Sequence, residues 1–255
     1  MTLPSAVAEA VTSNTDGPAS NDVIAFWCQQ GAYEIDAVLT MPPGNVQVFG
    51  GFGPTDVKLG DRDPDPTTNQ TTLLPSAAAI ASSAQLMRWN ATYGTTATDE
   101  AGALDGFTIT GMANTANRAL NVSDGRVALR NLLFVANHVA KNTVSIFVDG
   151  SVVAENCEWL MNTSDEDGAA VFDKGVYPST FSDCRFSLNN AHFQGGSYFR
   201  EDIASGSALT DQQGPVFTRC TFFSNQVYYT GTSNVGLAGG GAVYTEDGGR
   251  FVDCD

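Results

Sequence analysis

Six phrases decide the fold: LDGFTITGM (104–112), RNLLFVAN (130–137), ENCEWLMN (155–162), SDCRFSLN (182–189), TRCTFFSN (218–225) and VDCD (252–255). Aligned on Phe107, Leu132, Cys157, Cys184, Cys220 and Cys254, they recur at spacings of 25, 25, 27, 36 and 34 residues. Two positions after each anchor comes Ile109, Phe134, Trp159, Phe186 or Phe222, and five positions after it Met112, Asn137, Asn162, Asn189 or Asn225. A period of this length marks one supersecondary unit stacked on its copies. The apolar positions alternate within each phrase, which is the pattern of a strand.

Two further apolar segments precede each anchor. The nearer set is VALRN (127–131), SVVAEN (151–156), STFSD (179–183), VFTR (216–219) and RFVD (250–253). The farther set includes ALNVSDG (119–125), SIFVDG (145–150), AAVFDKG (169–175), GGSYF (195–199) and GGAVYTEDG (240–248). Three short strands per turn, separated by Gly, Asn and Asp, predict an all-β, right-handed parallel β-helix whose coils pair in register about 4.8 Å apart. Equivalent inward positions then stack. The cysteines form one interior column of apolar thiols, the aromatics a second, and the asparagines a hydrogen-bonded ladder at the turn.

The phrases FVAN (134–137), FSLN (186–189), FFSN (222–225) and GGAV (240–243) resemble the repeats of polymorphic outer-membrane proteins. GGFGPTDVKLGDRDPDPTTNQTTL (50–73), followed by LDGFTITG (104–111), is similar to the opening of bacterial surface and secreted β-helix proteins of the pectin-lyase-like superfold. The resemblance runs from about Val23 to Asp255. It implies an exported, adhesin-like protein, and a fold of this kind does not settle activity.

Composition narrows the classes further. With 28 acidic and 12 basic residues the formal net charge is −16, which repels nucleic acid and anionic membranes. No apolar run is long enough to cross a membrane as a helix, and no signal peptide is visible after Met1. Export therefore implies a leader already removed. Residues 1–22 read as a capping helix, PSAVAEAV (4–11), and a loop; residues 23–255 read as the β-helix. Because the repeat stops mid-phrase at Asp255, the chain is expected to be a fragment of, or to continue into, something longer.

Candidate sites follow from the strand parity. Outward positions one past the anchor are Thr108, Leu133, Glu158, Arg185 and Thr221, where Glu158 beside Arg185 is one acid next to one base. Parallel β-helices include polysaccharide lyases, hydrolases and epimerases with sites on such a face. A glycosidase, however, needs two facing carboxyls, and the strand face alone does not supply them. Taking Leu120, Ile146, Val171, Tyr198 and Val243 as inward makes Phe147, Phe172, Phe199 and Tyr244 an exposed aromatic column able to hold a sugar or a protein partner. The run Asp165, Glu166, Asp167 is either a solvated turn or a Ca²⁺ site, though it lacks the alternation of a calcium loop; no other cofactor is indicated. Arg62, between Asp61 and Asp63, is expected to pin its loop by an Arg–Asp pair. The insertions 199–213 and 226–239 are where specificity loops are expected.

The reading these features support best is a non-catalytic, cell-surface module acting as a rigid adhesive or structural stalk, with a glycan or surface protein as partner. The alternative is a polysaccharide-binding or polysaccharide-cleaving β-helix. A third is a filament subunit that self-associates end to end.

Overall fold

The computed structural model describes residues 23–41, 45–81, 85–90, 100–113, 118–201, 214–228, 240–246 and 248–255. The expected capping helix and most of both insertions lie outside them. Within them the chain winds as a right-handed parallel β-helix, and every strand pairing is parallel. One sheet has 13 strands, a second has seven and a third has four. The first covers two sides of the coil, because Arg118–Arg130 and Asn142–Glu155 run unbroken around the edge between them. Where later coils break that bend, as at Val171–Asp173 and Thr180–Ser182, a turn carries four strands rather than the expected three. The fourth is the two-residue strand after the Asn position, as in Asn190–Ala191. No helix among the described residues is long and apolar enough to cross a membrane.

Two sharp corners bracket the second-sheet strand of each regular coil. The first sits just before the anchor, at Gly106, Asn131, Asn156, Asp183, Arg219 and Asp253; the second sits just before the Asn position, at Gly111, Ala136, Met161, Leu188 and Ser224. All have positive φ, between 49° and 81°. Gly, Asn and Asp tolerate this left-handed conformation, so the first corner was readable from residue type everywhere but at Arg219. The second was not: Met161 and Leu188 adopt it at φ 53° and 57° while half exposed.

Between the corners the interior columns form as the repeat requires. Ile109, Phe134, Trp159, Phe186 and Phe222 pair in register, and Trp159 lies flat between Phe134 at 5.3 Å and Phe186 at 4.7 Å. The asparagines form a directional ladder. The Asn162 Nδ2 donates to Asn189 Oδ1 at 3.0 Å and to the Phe134 carbonyl at 3.0 Å, while its Oδ1 accepts from the Asn137 Nδ2 and main-chain N–H. Buried turn amides that would otherwise lack partners are satisfied this way. Cys157, Cys184 and Cys220 stack as buried free thiols, each facing main-chain carbonyls.

The run LLPSAAAIASS, which had no clear periodicity, contains a short helix, Ala77–Ala81, whose first turn is capped by Ser76 Oγ accepting from the Ala79 N–H at 3.3 Å. The strand that follows is Met87–Asn90, which pairs with Leu39–Met41.

Candidate functional site

The outer face of the second sheet carries the site. Its parity is as expected: Thr108, Leu133, Glu158, Arg185 and Thr221 pair side by side across successive coils. Arg185 Nε stands 3.7 Å from Glu158 Oε1 and donates to Ser187 Oγ at 2.9 Å. One residue before each anchor, the left-handed corner turns Asn131, Asn156 and Asp183 toward the same edge of the sheet.

The segment 63–67 forms the facing wall, and its placement depends on Arg62. Arg62 does pin the loop through an Arg–Asp pair, but neither neighbouring aspartate is the partner. Its Nη2 donates to Asp105 Oδ2 at 2.5 Å, its Nη1 to the Gly50 carbonyl at 3.2 Å, and its guanidinium lies 5.2 Å from the centre of the Phe49 ring. Asp61 pairs instead with Lys58 at 3.5 Å. Crossing the coil this closely requires glycine, since a Cβ on Gly50 would collide with the Gly106 carbonyl. The loop tip is then stiffened by its own bonds. Asp63 Oδ1 accepts from the Asp65 N–H, and Asp65 Oδ1 accepts from the Thr67 N–H and hydroxyl.

Sheet and loop enclose a cleft of about 480 Å³ lined by Asp63, Asp65, Asn131, Asn156, Glu158, Asp183 and Arg185, among others. Reasoning from the strand face alone missed its second wall, because the partner of Arg62 lies 43 residues away in sequence. Carboxyls therefore stand on both sides: Glu158 and Asp183 on the sheet, Asp63 and Asp65 on the loop. The Arg219 guanidinium, donating to both Asp183 oxygens at 2.6 and 2.7 Å, holds that exposed carboxyl below the usual range, so it stays an anion.

Other expected sites fall elsewhere. Phe172, Phe199 and Tyr244 pair in register and stack at 5.6 Å spacings. The position matching them in the preceding coil is Ser145, not Phe147, because Val144 rather than Ile146 pairs with Val171. A strand irregularity between Ile146 and Asp149 lets Phe147 join the stack at 6.5 Å. The column is not an open platform either: Phe199 is only 4% exposed, beneath the turns at Gly168 and Gly195.

The acidic run splits. Asp165 faces His138 at 3.5 Å, Glu166 pairs with Lys141, and Asp167 turns inward. Among the described residues no three His, Cys, Asp or Glu side chains are grouped to hold a metal ion. Burial is the main reason the Asp167 carboxyl is pushed up from 3.8 to about 6, with Glu166, Glu201 and Glu246 adding to it and the Gln194 backbone opposing it. The unfolded chain then loses this proton first, so stability falls as pH rises from about 4 to 6 and stays lowered above that. Asp167→Asn is expected to raise stability by about 1 kcal/mol at pH 8, after allowance for solvent screening, and to change little at pH 3.5. Melting curves at the two pH values check this. Burial likewise pushes the Cys28 thiol up to about 12, leaving no thiolate nucleophile there.

No protein-family model matches the chain, and no curated sequence is recognisably similar to it. The particular resemblance to polymorphic outer-membrane proteins thus has no family model behind it. Among solved structures, the chain is similar to the pectin methylesterase from Aspergillus niger in its deglycosylated form, with a TM-score of 0.57 and 11% identity over 97% of this chain and 71% of that one. The likeness establishes the pectin-lyase-like fold. It also goes against the expectation of a non-catalytic adhesive module, because that neighbour is an enzyme. The finding favours the polysaccharide alternative over that module.

Proposed function

We propose that this chain binds a polysaccharide along the outer face of the second sheet and hydrolyses a bond of it in the cleft. The observation that carries the reading is the placement of Glu158, Arg185 and Asp183 opposite Asp63 and Asp65 across one cleft. Glu158 serves as the base or nucleophile. Arg185, on the adjacent coil, orients that carboxylate and meets negative charge developing on the substrate. Asp183, kept ionised by Arg219, adds a fixed charge at the cleft edge. The fold shared with an enzyme named for pectin supports a polymer as substrate. An exported setting belongs to the same proposal, since such polymers lie outside cells. Asn69, Asn90, Asn121 and Asn162 each begin an Asn-x-Thr/Ser sequence, and the burial of Asn121 and Asn162 would limit glycosylation there to Asn69 and Asn90.

The test is incubation with methyl-esterified pectin, arabinoxylan and mixed-linkage β-glucan, reading both new reducing ends and released acid. Turnover of one polymer is expected, and Glu158→Gln is expected to slow it at least about 100-fold. Binding without any product would overturn the hydrolytic reading, and an unaffected Glu158→Gln variant would overturn the site.

A further inference from the structure

Resting on that reading, we infer that the cleft takes an uncharged, hydroxyl-rich polysaccharide and discriminates against polyuronates. The inference comes from a chain of side-chain hydrogen bonds along the cleft wall, running from Arg62 through Asp105 and Asn131 to Asn156. Asp105 Oδ2 accepts from Arg62 Nη2, which leaves Oδ1 to accept from the other side. Asn131 Nδ2 therefore donates to Asp105 Oδ1 at 2.8 Å, which turns Asn131 Oδ1 toward the next coil. There it accepts from Asn156 Nδ2 at 2.8 Å, in an exposed bond along the cleft wall. The amide orientations are thus set by the ion pair at the start of the chain. The last member, Asn156 Oδ1, is presented at the cleft as an acceptor that no donor among the described residues meets.

The surrounding groups have the same polarity. The cleft lining includes four carboxylates, Asp63, Asp65, Glu158 and Asp183, and one cation, Arg185, which is engaged with Glu158 and Ser187. The nearby Arg219 is bound through two nitrogens to Asp183. Hydroxyl groups of a neutral glycan provide the donors this edge lacks. A polyuronate brings one more carboxylate per residue into a cleft with no unengaged cation among the described residues, on a chain of formal net charge −16.

The intact chain is tested by affinity electrophoresis and calorimetry against arabinoxylan, galactomannan and hydroxyethyl cellulose on one side and polygalacturonate on the other, each at low and high salt. Retention by at least one neutral polymer, insensitive to salt, is expected, with no retention by polygalacturonate. Asn156→Gly deletes the acceptor while glycine accepts the left-handed corner at φ 51°. It is expected to weaken neutral-glycan binding about tenfold, the value of one or so lost hydrogen bonds, with the melting temperature checked alongside. Retention by polygalacturonate at equal or greater strength overturns this inference and leaves the proposed function standing. Failure to retain any polymer overturns both. A folded Asn156→Gly variant that binds the neutral polymer as the parent does overturns the role of the asparagine chain.

Discussion

Asp173→Ala is expected to lower stability by about 3–5 kcal/mol, because it leaves a guanidinium sealed in the interior. Asp173 and Arg200 are both fully buried inside the coil, 3.2 Å apart on adjacent strands. The carboxylate also accepts from the Tyr198 hydroxyl at 2.6 Å and the Gly175 N–H at 2.8 Å, while Arg200 Nη2 donates to the Gly175 carbonyl. The pair thus ties the strand to the turn that follows it. Its net value against an apolar pair is small, since desolvation offsets most of the attraction; the large cost comes from removing one partner alone. The double variant Asp173→Leu/Arg200→Met should accordingly recover much of what Asp173→Ala loses. Urea unfolding of all three proteins decides it. A loss below about 1 kcal/mol in Asp173→Ala would mean that water reaches the pair.

Trp159→Ala is expected to cost a comparable 3–5 kcal/mol. The indole is fully buried and stacked on both faces, within 6° of parallel to Phe134 and 3° to Phe186, with Phe181 at its edge. Truncation removes apolar burial and both stacking contacts at once, and the neighbouring coils cannot collapse into the gap because main-chain pairing fixes their separation. In a solenoid, stability is close to a sum of coil and interface terms. The loss should therefore appear as earlier unfolding on one side of this coil, with a broadened or split transition. Trp159→Phe keeps the stack and deletes an Nε1–H that meets no acceptor among the described residues. Its cost should stay below about 1.5 kcal/mol. Equal losses in the two variants would show that the indole itself, and not the stacked ring volume, sets the value of the position.

The architecture was legible because it is periodic. Anchors, aromatic column and asparagine ladder each repeat at fixed offsets, and one pattern tested six times leaves little freedom in register. Errors arose where the period breaks. The irregularity after Ile146 shifted one strand by two positions relative to its neighbours, which misaligned Phe147 with Phe172. The cleft was half legible. Glu158 and Arg185 followed from parity alone, whereas its other wall depends on a contact between Arg62 and Asp105 that no local pattern encodes. The second corner was silent because Ala136, Met161, Leu188 and Ser224 share no residue type; the turn is imposed by the asparagine that follows and by coil-to-coil bonding.

The stretch between the two corners has one length in every regular coil, five positions from anchor to Asn, although the coils themselves vary from 25 to 36 residues. All variation in length is taken up on the other sides. Side chains on the second sheet thus keep a constant lateral pitch of about 4.8 Å whatever is inserted elsewhere. Recognition loops can be gained, lost or exchanged during evolution without moving Glu158 relative to Arg185. In such a molecule the face that carries the cleft and the loops on the other sides are free to change independently.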